Sequence, residues 1–520
     1  MKFTKRLVDE EELQAGIKEG IDKAYRLARA GYGPRSGNAL LEQKYDDPVS
    51  SHDGITNIKD YYDEDPIVNS VIRSLVQASS KNNKNVGDGT TGVILLSCFL
   101  YRKAIKLIGA GYNRFEVSDM LLESGYKVIE ELKQNAKPFE PSMIKKIANI
   151  SSNSNSISDL LTEIFDKLGA NAHIVLQDSE GDGVESSIIN GFYFNKGFTY
   201  AGLIKDQVNF ESIHYKEPII LSEKTFTTAS EIAPILQTLV ANKQKEAIFI
   251  GEITQQALEL VAVNHRGGVL SLVIVEPAHH DSLRSVFLED LATFVGAKVL
   301  PMGAKGSDFT VDMMGMADKT IINSKSTTFI GGGGNPDDLK ERIKKLETQL
   351  ATTSNQFDLE TISQRLNRLK GQMAIVTVGA PTELQRKDLK LRIDDSISAV
   401  QSSPRYGVLP GGGVALARTD RTNEFHEAYQ GLIRTLAENS GLNTEKVLLK
   451  ILEKPYWHGF NFKKMNSLTE EYKPVDMYKE GVIDPAEVVI ELVKNATSIV
   501  STLITTNIAL VFNDRDDKDL

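Results

Sequence analysis

One cysteine in 520 residues, Cys98, leaves no partner for an internal disulfide. The fold must therefore rest on packing and polar contacts, and the composition suits a reducing compartment. Long apolar runs are missing too. Val269–Val275, with Ser271 inside it, falls far short of the about 20 residues that cross a bilayer. Nor is there a basic excess. Lys and Arg number 60 against 70 Asp and Glu, a net charge of −10, so the electrostatic footprint of a nucleic-acid-binding protein is absent. The basic start, Lys2 to Arg6, runs straight into Asp9-Glu10-Glu11-Glu12, which argues against a signal or transit peptide. Together these absences describe a soluble, cytoplasmic chain that partners neither nucleic acid nor membrane.

What is present is the texture of a globular protein. Apolar residues make up 41% and charged residues 25%, which excludes disorder over most of the chain. At about 150 residues per domain the length predicts three to four domains and more than one hydrophobic core. Residues 10–30 carry Leu13, Ile17, Ile21, Ala24 and Leu27 at helical spacing and stop at Gly31-Tyr32-Gly33-Pro34. Short strand-like pieces follow at Ala39–Leu41 and Ile55–Ile58. Helices are then expected over 66–110, broken by a polar loop at 82–89, and over 114–135. From about 190 to 325 short β-rich runs alternate with helical ones, the pattern of an α/β layer. Residues 337–371 predict a helical hairpin. Helices return after Gly379, so helical ends flank a central α/β insert.

Three glycine loops stand out: Gly31-Tyr32-Gly33-Pro34 after a helical segment, and Gly87-Asp88-Gly89-Thr90-Thr91 and Pro410-Gly411-Gly412-Gly413 before one. Glycine lets backbone N–H groups come close to an anion, and a helix N-terminus adds positive potential. An Asp inside such a loop suits phosphate only with a cation between them, and magnesium is the natural one. Each loop taken alone reads equally well as a turn or a capped helix start. Asp53-Gly54 alone reads as a hairpin turn, Asp394-Asp395 as a solvated helix face, and Asp484-Pro485 as an N-cap with Pro at the first helical position. His279-His280-Asp281 reads as a surface loop rather than a metal site.

The segments are more specific together. Gly33-Pro34-Arg35-Ser36-Gly37-Asn38, His52-Asp53-Gly54-Ile55, Gly87–Thr91, Gly411–Arg418, Gly481-Val482-Ile483-Asp484-Pro485 and Ile504-Thr505-Thr506, in this order and spacing, resemble the GroEL-type (group I) chaperonins. Asn190–Phe198 and Val261–Gly267 are similar to the central region of that family. The resemblance covers nearly the whole chain. It implies a multidomain α and α/β subunit with a mostly helical equatorial domain (1–134 and 406–520), a small α/β intermediate domain (135–189 and 374–405) and an α/β apical domain (190–373). It further implies an ATPase that binds ATP through Gly33, Pro34, Asp88, Gly89, Thr90, Thr91, Gly412 and Asp484, with Mg2+ on Asp88. Asp53 and Asp395 would position and activate the attacking water, Asp395 from the intermediate domain. Phe198, Leu203, Leu236, Leu258 and Val263 would face non-native polypeptide clients. The implied assembly is a homo-oligomer of seven-membered rings in a bacterial cytoplasm or that of an infected host, with a GroES-type co-chaperonin and K+ as further partners.

The chain departs from the family pattern in several places. His52 stands where a Lys is usual, which bears on the monovalent cation. Gly202 and Ala233 replace larger apolar residues, Gln372 replaces a hinge glycine, and Asn513–Leu520 stands in place of a Gly/Met-rich tail. These departures describe a divergent member, cellular or virus-encoded. They keep two other readings in view: a holdase that works without ATP, and a structural ring with a vestigial nucleotide site.

Overall fold

The computed structural model describes residues 5–42, 49–51, 54–59, 61–152, 154–169, 172–179, 181–207, 210–278, 282–353, 355–464 and 472–512. The chain divides into two compact units. One comprises residues 1–171, 178–185 and 377–520; the other comprises 172–177 and 186–376. The expected apical span, 190–373, falls within the second. The expected first intermediate segment, 135–189, is divided between the two.

The discontinuous unit is built on long helices: Glu10–Ala30, Pro66–Val86, Thr90–Gly109, Arg114–Asn135 and Ala486–Thr505. Their ends are specified locally. The Asp9 carboxylate accepts from the Glu12 N–H at 2.9 Å, and three glutamates occupy the first turn, where the helix dipole favours negative charge. Asp65 caps Pro66–Val86, with Pro66 in the first turn. Ala486–Thr505 is the hub, burying Val489, Leu492, Val493, Ala496 and Val500 against Pro66–Val86, Thr90–Gly109 and Arg114–Asn135. It is long and apolar enough to cross a membrane by length and composition, yet 61% of its most apolar window is buried in this core. The chain's two extremes meet in an antiparallel ribbon, Lys5–Val8 on Ala509–Phe512. Cys98 is buried in the same core. Ile144–Ser152 and Asn155–Leu168 pack together, and Ser396 of the helix Glu383–Tyr406 donates to the Ala148 carbonyl at 3.3 Å.

One local expectation fails. Ile55–Ile58 is part of a helix, Gly54–Lys59, and not a strand. Ile55 and Ile58 are both buried, three residues apart, as one helical face requires.

The second unit has a four-stranded parallel sheet in the order Val299–Leu300, Ile219–Ser222, Glu246–Ile250, Ser271–Val275. Ala229–Ala241 and Gln255–Arg266 cover one face through Ile232, Ile235, Leu239, Ala257 and Val261. Ser282–Val295 packs on the other face through Phe287, Leu288 and Leu291, and the helical hairpin Pro336–Thr352/Gln356–Lys370 packs upon it. That hairpin is held by a buried ion cluster. Asp290, 2% exposed, accepts from Arg365 at 2.7 and 3.0 Å and from Arg342 at 2.9 Å. Beside the parallel sheet lie antiparallel strands, with Thr327–Gly332 between Ala317–Asn323 and Gly183–Phe194, and Glu211–His214 on the outer side of Ala317–Asn323.

Candidate nucleotide site

Helix Pro66–Val86 ends at Gly87, whose φ of 71° lies in the left-handed region; its N–H returns to the Asn83 carbonyl at 2.9 Å. A Cβ at Gly87 would come 2.0 Å from that of Ser398, so glycine is needed twice over, for conformation and for space. Two residues later Gly89, φ 78°, opens helix Thr90–Gly109 with no side-chain cap. The capped-start reading of this loop is therefore set aside, and no side chain occupies the capping role toward the first-turn N–H groups. The loop is bolted from behind. Asn82, fully buried, donates to the Asp88 carbonyl at 2.5 Å and accepts from Asn495 at 3.1 Å; Ser79 donates to the Thr90 carbonyl at 2.9 Å.

A short ladder brings in the C-terminal half. Val408–Pro410 pairs with Ile483–Pro485, setting Leu409 opposite Asp484, and the Gly411 N–H donates to the Val482 carbonyl at 3.0 Å. A Cβ on Gly411 would lie 2.8 Å from Asp484 Oδ1, so the glycine makes room for that carboxylate. Asp484 is not an N-cap: helix Ala486–Thr505 starts two residues later, with Pro485 at its cap position and no side-chain cap bond. Asp88, Gly89, Asp484 and Tyr32 line one cavity of about 170 Å³, with Gly92, Gly413, Val488 and Leu492 among its other walls. Gly33, Pro34, Thr90, Thr91 and Gly412 flank lining residues in sequence and do not line the cavity themselves. Sequence reasoning missed the apolar floor and Tyr32, although Tyr32 stands inside a glycine motif already singled out.

The electrostatics are those of an anionic hole. Burial, and then repulsion from Asp88, pushes Asp484 up to about 7. Burial likewise raises Asp88, against a downward pull from the Gly89 N–H at 2.5 Å. The Tyr32 hydroxyl is raised by burial and by both carboxylates. Among the described lining residues none is cationic. Two enclosed carboxylates that repel one another, next to an uncapped helix N-terminus, are a donor set that fits a hard, oxygen-preferring cation such as magnesium.

Asp395 lies on helix Glu383–Tyr406, three residues before Ser398 and hence on the same face one turn away. The Gly87–Ser398 contact thus brings that face to the phosphate-type loop. Asp53 and His52 lie outside the described residues, as do His279–Asp281 and Asn513–Leu520. Gly54 is described: a Cβ there would come 2.6 Å from the Thr91 methyl group.

The positions expected to face clients fall in the second unit, where they divide sharply. Leu203, Leu236 and Leu258 are 4%, 4% and 8% exposed, and they pack with Ile232, Phe249 and Val261 in the core under the helix pair. Phe198 is half-buried against the other core. Val263, 57% exposed, alone among the five stands clear of the surface, on the helix Gln255–Arg266.

A discontinuous helical unit with a glycine-lined, doubly acidic cavity, interrupted in sequence by an α/β unit, defines a class: a helical scaffold carrying an inserted α/β domain. The chain belongs to the TCP-1/cpn60 chaperonin family, whose model matches residues 25–511. The fold is also similar to that of the chaperonin gp146 from the bacteriophage EL 2 (Pseudomonas aeruginosa), crystallised in the presence of ATP-BeFx. Crystal form II aligns with a TM-score of 0.70 at 18% identity, covering 98% of this chain and 99% of that one. Crystal form I aligns with a TM-score of 0.61 at the same identity and coverage.

Proposed function

We propose that this chain is the subunit of an ATP-driven folding ring that binds non-native polypeptides and works them through a Mg-ATP hydrolysis cycle. The observation that carries the reading is the cavity itself, where Asp88 and Asp484 converge at the uncapped start of helix Thr90–Gly109. That a phage chaperonin of this fold was crystallised with ATP-BeFx supports it. Asp88, with Asp484 opposite, would hold magnesium, which neutralises phosphate charge when bound. The N–H groups after Gly89 and the Thr90 and Thr91 hydroxyls would receive phosphate oxygens. Gly33, Pro34 and Gly412 would border the rest of the nucleotide. Asp395, and Asp53 with it, would orient and deprotonate the attacking water. Since Asp395 rides on a separate helix, movement of that helix would gate turnover. Seven-membered rings, a GroES-type co-chaperonin and K+ belong to the same proposal.

Steady-state ATP hydrolysis tests it, with particle mass recorded on the same samples. Asp395→Ala is expected to lose turnover, by at least about 100-fold for a group that moves a proton in the transition state, while still binding ATP. Asp88→Ala is expected to lose magnesium-dependent binding itself. A wild-type ring with no turnover would sink the cycle. The burial of Leu203, Leu236 and Leu258 favours a second reading, a structural ring with little client surface. Capture of an unfolded test protein by the intact particle separates the two.

A further inference from the structure

A second group of ionisable side chains lies far from the nucleotide cavity in sequence and wholly within the α/β unit. His214 ends the outer antiparallel strand Glu211–His214. Glu217 follows a turn in which Lys216 adopts a φ of 58°, left-handed for a residue with a side chain, and the chain doubles back toward the parallel sheet. Ile219 pairs with Ile248 in parallel register, and the Ile248 N–H donates to the Pro218 carbonyl at 2.9 Å. Continued two residues back, that register sets Glu217 beside Glu246, the first residue of its strand. One ligand atom from each of His214, Glu217 and Glu246 lies within 4.8 Å of the other two.

The cluster is left incomplete by the protein's own atoms. His214 is 1% exposed, and its Nδ1, buried, has no hydrogen-bond partner; the nearest acidic atom, Glu246 Oε2, is 3.6 Å away. Oε2 of Glu217 is likewise buried and without a hydrogen-bond partner. The other imidazole nitrogen, Nε2, is engaged by Ser212 Oγ at 2.8 Å, and that oxygen also accepts from the Lys205 N–H at 3.2 Å. Such a contact fixes the ring and lets Nε2 carry the proton, which leaves a lone pair on Nδ1. Among the described residues one cation reaches the cluster. Lys205 Nζ lies 2.5 Å from Glu246 Oε2 and 3.5 Å from Glu217 Oε1, on a side chain 38% exposed and able to swing into solvent.

We propose that His214, Glu217 and Glu246 form a site for a zinc-type divalent cation, bound through His214 Nδ1 and one oxygen of each carboxylate, with Lys205 holding the site when the metal is absent. The donor chemistry selects the metal: an imidazole nitrogen beside two carboxylates suits zinc and its first-row neighbours, whereas magnesium and calcium prefer oxygen throughout. Tetrahedral ligands at zinc stand roughly 3.3 Å apart, from bonds of about 2.0–2.2 Å, so small side-chain rotations close the present cluster around an ion. The bound metal would tie the outer antiparallel strand to two strands of the parallel sheet.

Equilibrium dialysis of the full-length protein against micromolar zinc, with millimolar magnesium present to saturate the nucleotide cavity, reads the site directly. One zinc per chain is expected in the wild type beyond that bound by Glu217→Gln and by Glu246→Gln. These isosteric variants keep the packing even if His214→Ala does not fold. Lys205→Ala, which removes the competing ammonium, is expected to bind zinc at least tenfold more tightly. Zinc should also raise the melting temperature of the wild type and leave that of Glu217→Gln unmoved. Equal zinc content in wild type and both glutamine variants, or an affinity of Lys205→Ala no higher than that of the wild type, overturns the proposal.

Discussion

Replacing Asp484 by Asn tests the charge logic of the cavity shared with Asp88 without touching its shape. In the folded protein the Asp484 carboxyl ionises near 7 rather than 3.8, because it is enclosed and faces Asp88. A folded-state value above the unfolded one means stability that is fully present below about pH 4 and is lost as pH rises toward about 7. At about 1.4 kcal/mol per pH unit the full gap would be worth roughly 4 kcal/mol. Asp484 keeps some solvent access through the cavity, and water there screens the charge, so roughly 1–2 kcal/mol is the realistic penalty near neutral pH. The assay is thermal unfolding in chelator at several pH values between about 4 and 8. The wild type should lose a few degrees across this range, and Asp484→Asn should lose visibly less. Millimolar magnesium should restore the wild type most at the alkaline end, where both carboxylates are charged, and help the Asn variant little. Parallel pH profiles for the two proteins in chelator would refute the idea that these carboxylates repel across the cavity.

Other expectations follow from the same contacts. Gly87→Ala demands a left-handed Ala with its methyl 2.0 Å from the Ser398 Cβ, so it should destabilise by at least about 1–2 kcal/mol and depress ATP turnover; wild-type turnover would contradict the close approach. Asp290→Ala leaves Arg342 and Arg365 without their shared carboxylate and should cost about 3–5 kcal/mol, read as early unfolding of the helical hairpin by hydrogen exchange. Val263→Ser should weaken capture of an unfolded test protein at unchanged melting temperature, whereas Leu236→Ser should lower the melting temperature by burying a hydroxyl in a core. If both variants behaved alike, core and surface would be wrongly assigned.

The long helices were readable because periodicity and punctuation agree: Leu13, Ile17 and Ile21 set the buried face of Glu10–Ala30, and Asp9 and Gly31 bracket it. Gly54–Lys59 was misread because two large apolar residues, Ile55 and Ile58, are too few to establish a period, although their spacing of three suits a helical face. Asp88 and Gly89 stood out in the residues themselves, whereas Asp484 entered only through the family resemblance, since Asp-Pro before a helix looks like a cap; the Leu409–Asp484 pairing sets it beside the same cavity. The positions expected to face clients expose a different limit. A helical stripe reads the same whether it turns toward a core or toward solvent, and Leu236 and Leu258 turn inward. The zinc-type cluster escaped notice because Glu246 is distant in sequence and reaches His214 only through strand register.

The ribbon between Lys5–Val8 and Ala509–Phe512 carries a consequence for how the molecule is made. One strand of the ribbon pairs with another synthesised roughly 500 residues later. At about 5–20 residues per second it waits roughly 25 to 100 seconds for its partner. Helices Pro66–Val86, Thr90–Gly109 and Arg114–Asn135 wait as well, because their core is completed by Ala486–Thr505. The α/β unit, nearly continuous in sequence from residue 186 to 376, can close on itself in the interval. On the ribosome the middle of this protein is therefore finished before its beginning, and the early helices spend that time with their apolar faces uncovered, themselves in need of protection from aggregation.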